Sequence, residues 1–300
     1  MSLPPPPTVT HCYRHPNRET GRRCTRCGKP ACSDCLVQAA VGSHCLDCAK
    51  AARPDLKTRV KYANAKQLTL VTFILIGINV LVFLYTSVKD PDTITSTIGN
   101  GSGVSKQQFD LGLNRDKLHV LHDWETLVTS GFTHFGILHL LLNMYALYLL
   151  GGLLERSLGR TKFALLFGAS LLGGSLGVVI VNQGNPFTPS AGASGAIFGL
   201  ITAAAVSMHR QGINILQTGI GRTLALNVVI TFVLSRYISV GGHLGGLVAG
   251  GICAVAMLAP RWKPVPKWVV YATPIAVGVV SIVASVLIAL NTTVPGLPGG

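Results

Sequence analysis

Charge is scarce in this 300-residue chain: Asp, Glu, Lys and Arg together make up 12% of it, and only 11 residues are acidic against 25 that are basic. Soluble domains carry about 25% charged residues. With 49% hydrophobic residues and a mean hydropathy of +0.48, the shortage excludes an ordinary soluble globular protein. Cysteine is almost absent outside one segment, since only Cys253 of the eight lies beyond residues 12–48. The first sixty residues hold no apolar core of a secretory leader, so the N-terminus is expected to stay in the cytoplasm. No basic face interleaved with aromatics occurs, and nucleic acid is not expected as a partner despite the net charge of +14. The apolar runs themselves lack charge apart from Arg236, which argues against a transporter.

What is present is a series of apolar runs, at about 68–88, 138–154, 163–181, 191–208, 223–240, 243–259 and 268–290. A helix needs about 20 apolar residues to cross a bilayer. The runs therefore predict seven membrane helices in an all-α polytopic protein. Lys and Arg collect on the cytoplasmic side of short loops. The basic run before Leu68, then Arg156, Arg160 and Lys162, then Arg210 and Arg222, then Arg261, Lys263 and Lys267, predict an inside N-terminus and an outside C-terminus. The outer segments hold only Lys89, Lys106, Arg115, Lys117 and Arg236, the last of them within the fifth run.

Residues 12–48 contain Cys12-x2-His15, Cys24-x2-Cys27, Cys32-x2-Cys35 and Cys45-x2-Cys48. Four pairs at this spacing supply the ligands for two tetrahedral zinc ions. A reducing cytoplasm favours metal over disulfides. The segment is too short and polar to bury a core, so metal is expected to supply its folding energy. A closed four-ligand ion has no open position for chemistry, and the expected task is to bind a protein partner. The module resembles a cross-braced B-box or RING-like finger. That resemblance implies alternating ligands, with Cys12, His15, Cys32 and Cys35 on one ion and Cys24, Cys27, Cys45 and Cys48 on the other. Residues 51–67 then form a basic linker expected to lie against anionic lipid.

In the membrane part, Gly192-Ala193-Ser194-Gly195 opens one apolar helix and His243 lies within another. A histidine in a bilayer is a functional-site hypothesis by default, and a serine among glycines is its natural partner. Gly195, Gly199 and Ala203 recur every fourth residue after the serine, and Gly242, Gly246 and Gly250 do so around the histidine. Such ridges let membrane helices approach closely. His139 and Asn143 share one helical face, where both could aim hydrogen-bonding groups at one point. From Ser194 the apolar run reaches only Ser207, roughly 21 Å at 1.5 Å per residue against a core of about 30 Å, so the serine is expected below the outer surface. The long stretch from Lys89 to Gly136 divides into a polar first half and an interfacial second half carrying Trp124, Leu127, Val128 and Phe132.

The run His134-x4-His139-x3-Asn143, Glu155 and Arg160, the Gly-Ala-Ser-Gly turn, and His243 followed by Gly246 and Gly250 together resemble the rhomboid family of intramembrane serine proteases. The resemblance covers roughly residues 68–260. It implies Ser194 as nucleophile and His243 as general base with no third acidic member. His139, Asn143 and the Ser194 N–H are implied as oxyanion donors, with Gly192 in support, and His134 is implied to shape the mouth of the site. Phe198 stands where the family often stacks an aromatic on the base. Trp124-Glu125 departs from the Trp-Arg common there, and the helix at 268–290 resembles a six-plus-one arrangement.

The expected organisation is a zinc-binding module (1–50), the linker (51–67), a six-helix rhomboid core (68–260), and an extra C-terminal membrane helix and tail (261–300). The expected function is hydrolysis of transmembrane segments of membrane proteins, in the plasma membrane of a bacterium, with zinc structural and catalysis free of cofactors. A non-catalytic rhomboid-like binder or chaperone of membrane helices is the alternative, opposed by retention of Ser194, His243, His139 and Asn143 together.

Overall fold

The computed structural model describes residues 10–39, 41–52, 69–95, 104–181, 189–219, 221–222, 225–226, 239–259 and 264–292. It divides into two compact units, Met1–Lys66 and Gln67–Gly300.

In the first unit, strand β1 (His11–Cys12) pairs antiparallel with β2 (His15–Glu19), and β3 (Leu36–Gln38) pairs with β4 (Ser43–Cys45), followed by helix α1 (Leu46–Ala51). Its apolar interior is little more than Cys12, Ala31, Cys32 and Cys35, with Tyr13, Leu36 and Leu46 packed against them. The ion pairs Arg14–Asp47 at 2.6 Å and Arg18–Asp34 at 2.5 Å are solvent-exposed, where such pairs stabilise by under about 1 kcal/mol. So thin a core needs another source of stability. Of the linker at 51–67, residues 53–67 lie outside the described residues.

The second unit is an all-α polytopic membrane fold. Helices α2 (Leu70–Lys89), α7 (Gly136–Leu158), α8 (Arg160–Val181), α10 (Val240–Met257) and α11 (Lys267–Leu290) are each long and apolar enough to cross a membrane. Helix α9 (Ser194–Arg210) has 17 residues, three more than the apolar run from Ser194 and still short of a full crossing. Most of the helix expected at 223–240, Arg236 included, lies outside the described residues. The outward faces carry apolar side chains such as Leu81, Tyr145 and Val280, each more than 60% exposed. Water would not tolerate such a surface, and lipid requires it.

Helix α8 is the central element, packed against α9, α10 and α11. Its glycines decide how near its neighbours come. A methyl group on Gly177 would strike the Gly241 carbonyl, and one on Gly174 would sit 3.0 Å from the Gly242 oxygen and 3.2 Å from the Gly195 Cα. On the other side, methyls on Gly246 and Gly250 would strike the backbones of Gly195 and Gly199. Three helices thus meet backbone to backbone, through two ridges evident in the sequence and a third, Gly173-Gly174-x2-Gly177, that was not singled out there.

The stretch between α2 and α7 is more ordered than its polar composition suggests. It contains α3 (Asp92–Thr95), α4 (Lys106–Leu111), α5 (Arg115–Leu121), α6 (Thr126–Thr129) and a 3-10 turn at Ser130–Phe132, with residues 96–103 outside the described ones. Several of its polar groups find partners within the stretch. Ser105 and Gln108 form a reciprocal capping box on α4, and Asn114 caps α5 by accepting from the Asp116 and Lys117 N–H groups at 2.9 and 3.1 Å. The buried Lys117 ammonium donates to the Phe109 and Asp110 carbonyls at 2.9 and 2.6 Å and pairs with Asp123 at 3.2 Å. Leu127 and Trp124 join Leu113, Leu118, Val179 and Ala289 in an apolar cluster. The second half of the stretch therefore packs inward, with Val128 left exposed.

Glu155, at the far end of α7, is buried and accepts from the Val71 N–H at 3.0 Å, the Thr72 N–H at 2.8 Å and the Thr72 hydroxyl at 2.7 Å. A carboxylate here satisfies the orphan donors of the first turn of α2 and complements its dipole.

Candidate active site and metal-ligand clusters

Ser194 is the first residue of α9 and His243 lies in the first turn of α10, after Ser239 has capped that helix by accepting from the Gly242 N–H at 3.2 Å. The glycine contact between α9 and α10 brings the two side chains together. His243 Nε2 stands 2.8 Å from Ser194 Oγ. The Phe198 ring, one turn after Ser194, stacks on the imidazole with centroids 4.1 Å apart and planes 17° from parallel.

The opposite wall comes from α7. His139 Nδ1 accepts from the Phe135 N–H at 3.4 Å, so in the neutral ring the proton belongs on Nε2. That nitrogen faces Gly192: a methyl built on Gly192 would lie 2.8 Å from His139 Nε2 and 3.6 Å from Ser194 Oγ. Gly192 also has φ +127°, which side-chain-bearing residues rarely adopt. Both requirements leave glycine the residue for this position, and the space it frees lies between the serine and a ring donor. Asn143 is buried and gives one amide hydrogen to the His139 carbonyl at 2.9 Å. The second amide hydrogen is the one it has to offer a ligand. His134 lies 5.0 Å from His139, ring to ring and edge-on. Its own carbonyl accepts from Gln108 Nε2 at 3.0 Å. Burial, with the neighbouring His139 ring adding to it, pushes the His134 pKa down to about 3 and keeps the ring neutral.

Two backbone links hold the segment entering Ser194, and composition gave no sign of either. Ser190 exchanges a pair of hydrogen bonds with Leu113, at 2.8 and 2.9 Å, and the Gly192 N–H donates to the Ser130 carbonyl at 2.9 Å. Residues 182–188, just before this segment, lie outside the described residues. Cys253 is wholly buried in the core, as a small hydrophobe would be.

The cysteine-rich unit gathers its ligands into two clusters, Cys12, His15, Cys32 and Cys35, and Cys24, Cys27, Cys45 and Cys48, each with its ligand atoms within 4.8 Å of one another. His15 Nδ1 lies 3.7, 3.4 and 3.5 Å from the sulfurs of Cys12, Cys32 and Cys35. A tetrahedron with metal–sulfur bonds of about 2.3 Å and metal–nitrogen bonds of about 2.0–2.1 Å has sulfur–nitrogen edges near 3.5 Å. Cys27 and Cys45 sulfurs are 3.7 Å apart, close to the sulfur–sulfur edge of about 3.8 Å in such a tetrahedron. The donor sets therefore fit a small tetrahedral cation. Burial raises the thiol pKa of Cys12 and of Cys24, but surrounding backbone N–H groups outweigh it and bring each down to about 6. Cys35 is pushed up to about 11, by burial and then by the Cys12 and Cys32 sulfurs. Cys48 is pushed up to about 12 by the Cys27 and Cys45 sulfurs together with burial. A bound cation reverses that crowding by coordinating thiolates. Either cluster could hold a metal ion.

The family comparison falls on the membrane unit, which carries Ser194 and His243. Residues 121–260 match the Rhomboid domain. The chain is 31% identical over 193 residues to the rhomboid protease GluP of Bacillus subtilis (strain 168), covering 63% of this chain and 35% of that protein. It is 31% identical over 148 residues to rhomboid-like protease 3 of Toxoplasma gondii, covering 47% of this chain and 54% of that protein. It is 30% identical over 150 residues to RHOMBOID-like protein 1 of Arabidopsis thaliana, covering 47% of this chain and 36% of that protein. The chain thus spans about a third to a half of these relatives. The domain match and the relatives support the rhomboid family for the membrane unit, which carries every residue of the serine site.

Proposed function

We propose that the protein is a rhomboid-family intramembrane serine endopeptidase whose dyad is Ser194 and His243. The observation that carries this reading is the 2.8 Å contact between Ser194 Oγ and His243 Nε2 beneath the stacked Phe198 ring. A hydroxyl becomes a nucleophile when a base within hydrogen-bond reach takes its proton. Ser194 Oγ attacks the scissile carbonyl carbon while its proton passes to His243 Nε2. The oxyanion then forms in the space beside Gly192, where His139 Nε2–H, the second Asn143 amide hydrogen and the Ser194 N–H at the helix start act as donors. His243 returns its proton to the departing amine, leaving an acyl-enzyme on Ser194. Water, deprotonated by the same imidazole, attacks the acyl carbon, the bond to Ser194 Oγ breaks, and that oxygen takes the proton back from His243 as the acid leaves.

Substrates are transmembrane segments that unwind easily, because a helical peptide bond is shielded from attack. In this reading the N-terminus is cytoplasmic, the C-terminus lies outside, and the membrane is the plasma membrane of a bacterium. The N-terminal clusters hold two structural Zn2+ ions, one on Cys12, His15, Cys32 and Cys35 and the other on Cys24, Cys27, Cys45 and Cys48. The finger they form binds a protein partner and takes no part in the chemistry. The test is cleavage of a model transmembrane segment in proteoliposomes. Wild type is expected to cut it and Ser194→Ala to leave it intact, whereas equal cleavage by both would refute the assignment.

A further inference from the structure

The last membrane helix reaches the active site through the ordered stretch between α2 and α7. At its end, the Ala289 carbonyl is 2.9 Å from His119 Nδ1 on α5 and also accepts from the Thr292 N–H at 3.2 Å. Only a protonated Nδ1 can donate to a carbonyl, so this contact fixes the His119 tautomer and lends the C-terminal end of α11 a donor. Ala289 is fully buried, in one cluster with Leu113, Leu118, Leu127 and Val179, and Ile288 packs against it. Just before the Asn114 N-cap of the same α5 stands Leu113, the residue that exchanges two backbone hydrogen bonds with Ser190. Ser190 is two residues from Gly192 and four from Ser194. A second anchor supports the platform from α8, where the Ser175 hydroxyl donates to the Leu127 carbonyl at 2.6 Å.

We infer that His119 is a positioning residue for the proteolytic reaction: by tying α5 to the end of α11 it holds Leu113, and through Leu113 the Ser190–Gly192 segment, at the depth that leaves room for the oxyanion. The extra helix is then part of the catalytic scaffold. The inference rests on the serine-protease reading. Without the His119 contact α5 keeps its apolar packing, so the fold survives while the segment gains play of a fraction of an ångström. Misplacement of about 1 Å can cost about a hundredfold in rate. Because the segment ends at Gly192, which borders the space assigned to the oxyanion, the loss should fall on kcat.

The experiment compares full-length wild type, His119→Ala and His119→Asn in detergent, measuring kcat and KM on a model transmembrane substrate together with thermal unfolding. An Asn amide nitrogen can stand where Nδ1 stands and donate to the same carbonyl. The expected result is a roughly tenfold lower kcat for His119→Ala with KM within about twofold, a near wild-type melting temperature, and kcat restored in His119→Asn. If His119→Ala does not fold, His119→Asn still decides, because a folded Asn variant with wild-type kcat supports the inference and one with low kcat overturns it. Equal kcat in wild type and His119→Ala overturns the inference while leaving the protease reading intact. A wild type that neither cleaves nor reacts with a fluorophosphonate overturns that reading and this inference with it.

Discussion

Phe198 covers His243 face to face at 4.1 Å, and since Phe198 lies one helical turn beyond Ser194, a single helix supplies both the proposed nucleophile and the surface that sets the plane of the His243 ring. An imidazole able to rotate about its own bonds would lose the 2.8 Å contact. Stacked aromatic pairs are worth about 0.5–1.5 kcal/mol. Phe198→Ala should therefore lower kcat by up to about tenfold and Phe198→Tyr should retain most activity, read from initial rates at saturating substrate.

In the proposed dyad Ser194 and His243 act as one unit, so their losses should not add. Alanine at either position should abolish cleavage, and the double variant should be no worse than a single one. Rates that multiply would remove the dyad.

His139 faces the space beside Gly192, and in the proposed mechanism Asn143 supplies a second side-chain donor to the oxyanion. Replacing either by alanine removes at most one donor and should raise the barrier by about 2–4 kcal/mol. A variant of either residue with wild-type kcat/KM would take it out of the oxyanion site.

Gly199 and Gly246 set the approach of α9 to α10 from opposite sides. Leucine at either should force the helices apart and suppress activity by roughly a hundredfold, while the protein still inserts. Full activity in both would show that the dyad does not depend on this contact.

The sequence was most legible where the bilayer constrains it. Lipid demands continuous apolar length, so the helix limits Leu70–Lys89 and Lys267–Leu290 fall within two residues of the runs expected at 68–88 and 268–290. The two glycine ridges beside Ser194 and His243 were visible because their period is helical. The third, on α8, was not, since Gly173, Gly174 and Gly177 neighbour only serines, which are common in membrane helices, and no histidine. The stretch between α2 and α7 was the least legible: Lys117 and Gln108 look like solvated residues until tertiary contacts supply the carbonyls that receive them. Spacing alone gave eight ligands in the first unit without a pairing. The alternating pairing implied by the resemblance to a cross-braced finger is the grouping found in the two clusters.

In that unit the alternating clusters predict close to two zinc ions per chain, measured by mass spectrometry of the purified protein. Cys35→Ser should lose the ion shared with His15 and Cys24→Ser the other, each unsettling the finger if, as proposed, metal binding supplies its folding energy. Deleting residues 1–50 should leave cleavage of a generic substrate largely intact in detergent. If chelation instead removed activity while the membrane unit stayed folded, the serine site would not be independent of metal.

The account stands or falls on whether Ser194 is an activated nucleophile. Treatment of the detergent-solubilised protein with a fluorophosphonate, followed by peptide mass analysis, addresses that directly. The prediction is one adduct per chain, on the Ser194 peptide, abolished in His243→Ala. An unmodified Ser194 in wild type, or labelling unchanged in His243→Ala, would contradict it.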